Sequence, residues 1–135
     1  MVEMRVAYEG QLRCVAAHGP SGQKLATDAP VDNMGRGESF SPTDLVATAL
    51  ASCMLTIMGI IAQRQGIDIG GATASVTKEM ASQPVRRIKR LAVSISVPAK
   101  VSEEDRRRLE HGVHTCPVVK SLHPDVEVAV SFNWA

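Results

Sequence analysis

Aromatic side chains are scarce in this chain. They make up 3% of its 135 residues, with one Trp, one Tyr and two Phe. The core must therefore be built from Val, Ile, Leu, Ala and Met, and there is no set of exposed rings on which nucleic-acid bases could stack. Excess charge is lacking as well: 15 basic and 14 acidic residues leave a formal net charge of +1. No global field selects nucleic acid or an anionic membrane as a partner. The basic runs RRIKR (86–90) and RRR (106–108) read as a solvated strand end and a solvated helix face, the second offset by Glu103, Glu104, Asp105 and Glu110. There is no Cys-x-x-Cys pair, no internal repeat and no low-complexity linker. The opening MVEMRVAYEG carries an early Glu3 and no apolar run, so it does not read as a secretory signal. Three cysteines in a chain expected to be cytoplasmic argue against a disulfide framework. Thiol chemistry, metal binding and inert burial remain open.

What is present fits a single globular domain over residues 1–135, with 44% hydrophobic residues. MRVAY (4–8) and LRCVAA (12–17) read as strands joined at Glu9-Gly10-Gln11. HGPSG (18–22) is a second turn, and QKLAT (23–27) a third strand. Residues 28–41 form a loop long enough to be functional. A helix over Pro42–Gln65 then starts on Ser41 as N-cap, with Pro42 in the first position and Asp44 three residues after the cap, and stops at Gly66. Its uncharged stretch LVATALASCMLTIMGIIA (45–62) just reaches membrane-spanning length. Thr48, Ser52 and Thr56 interrupt it and its start has no basic or aromatic flank, so it reads as a core helix buried on several sides. Asp44, Thr48, Ser52, Thr56, Gly59 and Gln63 line one side, a small-residue stripe suited to the helix of a second subunit.

Further along, TASVTKEM (73–80) and LAVSISV (91–97) alternate as strands, with Ser82-Gln83-Pro84 as the turn between them. Ser102 caps a charged helix with Asp105 in its third position. A short helix follows Cys116. VEVAVSFNW (126–134) places Val126, Val128, Val130, Phe132 and Trp134 on one face. Strands, one long helix, strands, helices and a last strand give an α+β fold.

Two cysteines carry the candidate chemistry. Cys53 lies twelve residues past its helix cap, about 18 Å along the axis. The helix terminus does not reach that far. Val46, Ala49, Leu50, Ile57 and Ile60 surround it at helical spacing, and in isolation it reads as an inert buried thiol. Cys116, before Pro117, is the expected N-cap of the short helix, where its sulfur would face free N–H groups that lower a thiol pKa. His114 is two residues away. A metal site using His111, His114, Cys116 and His123 lacks the closely spaced ligand pairs of zinc sites, and a Cys–His hydrolase pair lacks an evident orienting group. Cys14 reads as a packing residue on a strand.

FSPTDLVATALASC, followed 63 residues later by the cysteine of HTCPVVKSL, resembles the OsmC/Ohr family of thiol-dependent hydroperoxide reductases. The order of elements matches over nearly the whole chain. The resemblance implies an intertwined homodimer with long central helices and sheets outside them. It implies that Cys53 is the peroxidatic cysteine and Cys116 the resolving one, oxidised by organic hydroperoxide to a disulfide and restored by an external dithiol, with no metal or other cofactor. Ala49, Leu50, Met54 and Ile57 would form an apolar substrate pocket. In the family's peroxidases a Glu follows the Pro of the helix-start motif and pairs with an Arg that activates the cysteine. Here that position is Thr43, followed by Asp44. Arg36 and Glu38 in MGRGESFSP are the candidate activating charges, with Arg13 the weaker one. The competing expectation is a non-catalytic dimer whose interface cavity binds a small apolar or thiol-containing molecule.

Overall fold

The computed structural model describes residues 1–135, which form two compact units, Met1–Val46 and Ala47–Ala135.

The first unit is a three-stranded antiparallel sheet of β1 (Met4–Gly10), β2 (Arg13–His18) and β3 (Lys24–Asp28), in that order. The β1–β2 turn falls on Gln11 and Leu12 rather than on Glu9-Gly10-Gln11. Both residues have positive φ, 54° and 63°. Two successive left-handed residues match the twist of a tight hairpin, at a cost of about 1–2 kcal/mol for each non-glycine residue. Met4, Val6 and Tyr8 share one face of β1 and are 60–67% exposed. The loop after β3 is not irregular throughout. It contains a short 3₁₀ turn, Val31–Asn33, closed by Gly35 N–H donating to the Pro30 carbonyl. A Cβ on Gly35 would stand 1.7 Å from the Ala29 carbonyl oxygen, so the loop closes only around glycine.

Helix α1 (Pro42–Gln65) opens on a reciprocal capping box. The Asp44 N–H donates to Ser41 Oγ at 3.0 Å, and the Ser41 N–H donates to Asp44 Oδ2 at 2.9 Å.

The second unit is built on a mixed sheet of β4 (Thr73–Ala81), β5 (Arg87–Val97) and β6 (Glu127–Trp134), ordered β4-β5-β6. The β4–β5 pair is antiparallel. The β5–β6 pair is parallel, so its connection must cross over, and it does so through α2 (Glu103–Val113) and α3 (Pro117–Ser121). The alternation read from 91–97 holds: Leu91, Val93, Ile95 and Val97 are buried. The strand starts earlier than its apolar pattern, at Arg87, because Met80 and Ala81 of β4 pair with Ile88 and Arg87. The buried face of α1 (Ala47, Leu50, Ala51, Met54, Met58) joins those strand residues and Leu109, Val113 and Cys116 in one core. Each large aliphatic side chain buried there contributes about 1.5–3 kcal/mol.

α1 is long and apolar enough to cross a membrane, but one face of it packs in this core. Burial on several sides is not found within the chain. Thr48, Ala49, Ser52, Thr56, Ile60 and Gln63 form an exposed stripe opposite the core. The remaining elements hold as read. Ser102 Oγ accepts from Asp105 N–H at 3.2 Å at the start of α2, and Val126, Val128, Val130, Phe132 and Trp134 pack against the core.

Candidate functional site

The second unit brings Cys53 and Cys116 together. Cys53 sits midway along α1, where the helix turns from its core face to its exposed stripe, and it is half-buried. Its burial is only partial, whereas Leu50 and Met54 on the adjoining face of the helix have 0% exposure. Cys116 comes from the other end of the unit. The Thr115 N–H and hydroxyl both donate to the Gly112 carbonyl, at 2.9 and 2.7 Å, and the Cys116 N–H donates to the Val113 carbonyl at 3.3 Å. These bonds turn the chain at the end of α2 and deliver Cys116 into the core at 0% exposure.

Cys116 is the N-cap of α3, and Pro117 is its first helical residue. The sulfur nevertheless makes no capping hydrogen bond. The free N–H that does meet a sulfur is that of Val118, and it acts on Cys53. The amide donor expected for Cys116 thus serves its partner. Burial pushes the Cys53 thiol above its ordinary pKa, its hydrogen bond with Cys116 pushes the same way, and the Val118 N–H opposes both by favouring the anion. Cys116 is thus near enough to act on the Cys53 thiol, and of the two only Cys53 is reachable from solvent.

Of the predicted pocket residues, Ala49 is exposed and Ile57 half-buried, so both can line a surface beside Cys53. Leu50 and Met54 have 0% exposure and are core, not pocket wall. They lie on the helix face that meets β5, one step round from the cysteine.

The charged candidates belong to the first unit. Asp44 is engaged in the α1 capping box and stands nine residues from Cys53, about 13 Å along the helix axis. Helix capping is its visible work. Arg36 and Glu38 surround a pair that the sequence reading ranked lower or missed. Arg13 grips Asp28 through two parallel hydrogen bonds of 2.6 and 2.7 Å, and Asp28 is 1% exposed. Glu38 adds a carboxylate 3.5 Å from Arg13 Nη2. The Arg13 guanidinium holds the Asp28 carboxyl below its usual range, assisted by the Glu38 backbone N–H and the charge of Arg36 and opposed by burial. Arg13 and Asp28 are cross-strand partners in register. Counting back along the hairpin from the His18–Gln23 closure would have found them in the sequence.

Cys14, read as packing, is half-buried and borders an open groove of about 280 Å³ with Tyr8, Thr27 and Asn33. No group of three His, Cys, Asp or Glu side chains converges in a way that could hold a metal ion. His111 and His114 point outward while Cys116 is enclosed.

A sequence model of the family described as OsmC-like protein matches residues 35–131. Among solved structures, a Psychrobacter arcticus 273-4 protein named as a candidate osmotic stress induced and detoxification response protein is 47% identical, with a TM-score of 0.93, over 98% of this chain and 96% of that one. A Legionella pneumophila organic hydroperoxide resistance protein OsmC is 18% identical, with a TM-score of 0.79, over 98% and 96% of the two chains. A Vibrio cholerae candidate organic hydroperoxide resistance protein, with captopril bound in one of the active sites, is 20% identical with a TM-score of 0.78 over 98% and 91%. No curated protein matches the chain.

Proposed function

Because the chain belongs to the OsmC-like family, as its α+β fold and family match require, we propose that it reduces organic hydroperoxides with the thiols of Cys53 and Cys116. The observation that carries this reading is the pairing of one accessible thiol with one enclosed thiol near enough to raise its pKa. Accessibility supports the assignment of roles. Only Cys53 can meet a peroxide, so its thiolate attacks the distal oxygen and the O–O bond breaks. Cys53 becomes a sulfenic acid, and the alkoxide leaves, taking a proton to give the alcohol. Cys116 then attacks the sulfenic sulfur, forming the disulfide and releasing water. An external dithiol supplies two electrons and two protons, becomes a cyclic disulfide and restores both thiols. The Val118 N–H stabilises the Cys53 anion during the first step. Ala49 and Ile57 offer apolar surface to the organic part of the substrate, which favours alkyl over hydrogen peroxide. No metal or prosthetic group takes part in these steps.

We propose further that the working form is an intertwined homodimer. Each protomer leaves the apolar residues Met4, Val6 and Tyr8 of β1 exposed, and separately the small-residue stripe of α1. Three free cysteines suit a reducing, cytoplasmic location.

The test is to treat reduced protein with cumene hydroperoxide, map disulfides by mass spectrometry and follow hydroperoxide loss with a dithiol present. A Cys53–Cys116 bond with turnover is the expected result. Absence of both the bond and turnover would refute the proposal.

Two observations favour a second reading, a non-catalytic dimer binding a small apolar or thiol-containing molecule. The Cys53 thiol is pushed up, away from the thiolate a peroxidase needs, and Thr43 stands where the family's peroxidases carry Glu. Cys53→Ser separates the two: binding survives in the second reading, and reduction is abolished in the first.

A further inference from the structure

Gly112 is buried at the last turn of α2, against α1 one and two turns beyond Cys53. A Cβ placed on it would stand 2.1 Å from Ile61 Cδ1, 3.6 Å from Ile61 Cγ1 and 3.7 Å from Ile57 Cγ2. The first distance is far inside contact, so Ile61 or α2 would have to move. Cδ1 is the end of the Ile61 side chain and turns about χ2, and the packing of Ile61 against the core limits where it can go. The carbonyl of the same residue accepts both hydrogen bonds from Thr115, at 2.9 and 2.7 Å, directly before Cys116. One residue therefore sets how closely α2 lies on α1 and also starts the turn that delivers Cys116.

We propose that Gly112 is a positioning residue for the dithiol: its missing side chain lets the α2–α3 corner sit low enough on α1 for Cys116 to meet Cys53. The sulfurs must approach to about 2 Å to bond, with little tolerance in the Cβ positions. A shift of α2 away from Ile61 is thus read out most directly in the ease of disulfide closure. This inference rests on the reading of Cys53 and Cys116 as an exchanging dithiol.

The experiment equilibrates the full-length protein with glutathione buffers. The two thiols lose two electrons and two protons to oxidised glutathione, which becomes two glutathione thiols. Gly112→Ala is expected to lower the equilibrium constant for the Cys53–Cys116 disulfide at least tenfold, about 30 mV. Ile61→Val removes the clashing Cδ1 atom, so the double variant Gly112→Ala/Ile61→Val should return close to the parent constant. A general loss of packing would not be rescued by removing a further methyl group from the core. A folded Gly112→Ala protein with the parent constant overturns the proposal, as does a double variant with no recovery. Should Gly112→Ala alone fail to fold, Gly112→Ala and Gly112→Val are compared in the Ile61→Val background. There the bulkier variant must show the weaker disulfide, and equal constants overturn the proposal. If the unsubstituted protein forms no Cys53–Cys116 disulfide at all, the dithiol reading and this inference both fall. If it does form one and Gly112→Ala leaves it unchanged, only the positioning role is lost.

Discussion

The backbone N–H of Val118 acts on the sulfur of Cys53, 65 positions earlier in the chain, and not on Cys116 at the start of its own helix. Two opposing influences therefore meet at Cys53: burial and Cys116 hold its proton on, and the amide favours its loss.

The alkylation of Cys53 should follow from that balance. With its pKa above the ordinary thiol value of 9.0, iodoacetamide labelling should stay slow near neutral pH and rise only in the alkaline range. Cys116→Ser removes the neighbour that pushes the proton on, so the labelling profile should shift to lower pH. An unchanged or higher midpoint in the variant would contradict the assigned cause. The sign for stability is fixed too. The unfolded thiol ionises first as pH rises, so this contribution is intact below 9.0 and is lost as pH climbs through the folded value.

The Arg13–Asp28 pair should show the opposite pH sense. The Asp28 carboxyl is held below its ordinary range, so its contribution is present above the unfolded carboxylate value and fades as pH falls through the folded one. Asp28→Asn keeps the shape and removes the charge. The gap in unfolding temperature between parent and variant should be constant above about pH 5 and close towards lower pH. A gap that widens on acidification would mean that the pair does not stabilise the fold.

These two sites differ in how far the sequence discloses them. The Arg13–Asp28 pair follows from local rules, since the turn at HGPSG fixes the hairpin register and the register sets the pair. The capping residues Ser41 and Ser102 and the alternation of Leu91, Val93, Ile95 and Val97 were legible for the same reason, because neighbours in sequence decide them. The β1–β2 turn was read slightly early: Gly10 does take a positive φ but ends β1, and Gln11 and Leu12 form the turn. The Cys53–Cys116 pairing was legible only by family resemblance. Their contact depends on a crossover through α2, and no periodicity encodes how that crossover lands. The same crossover decides which thiol receives the Val118 amide and which is enclosed. Both were assigned wrongly from local sequence alone.

Burial around the helix should divide mutational effects sharply. Leu50→Ala empties fully buried core space and should cost about 2–5 kcal/mol in denaturant unfolding. It should not alter the Cys53 alkylation rate by more than a few-fold if Leu50 is core and not pocket. A large change in Cys53 reactivity with little loss of stability would return Leu50 to the pocket wall.

The exposed stripe of α1 predicts the oligomeric state. Light scattering should give about twice the 14.4 kDa chain mass. Ser52→Arg places a long charged side chain on that stripe and should shift the population to monomer with helical circular dichroism retained, because Ser52 lies off the core. A parent protein that is monomeric at micromolar concentration would refute the dimer.

Reduction of the disulfide should be directional. A thiol can attack either sulfur of a disulfide, and access decides which. Cys116 is fully enclosed while Cys53 keeps solvent-facing surface. A monothiol such as glutathione, added in limited amount to oxidised protein, should therefore attack Cys53 and release Cys116 as a thiol. Quenching in acid and mapping by mass spectrometry should find glutathione on Cys53 and a free thiol at Cys116. Because Cys116 then lies enclosed beside the mixed disulfide, it can re-form the internal bond and expel the monothiol. A dithiol escapes that reversal by closing on itself, so at equal thiol concentration it should reduce the protein at least tenfold faster than a monothiol. Glutathione found mainly on Cys116 would show that the α2–α3 corner opens before reduction.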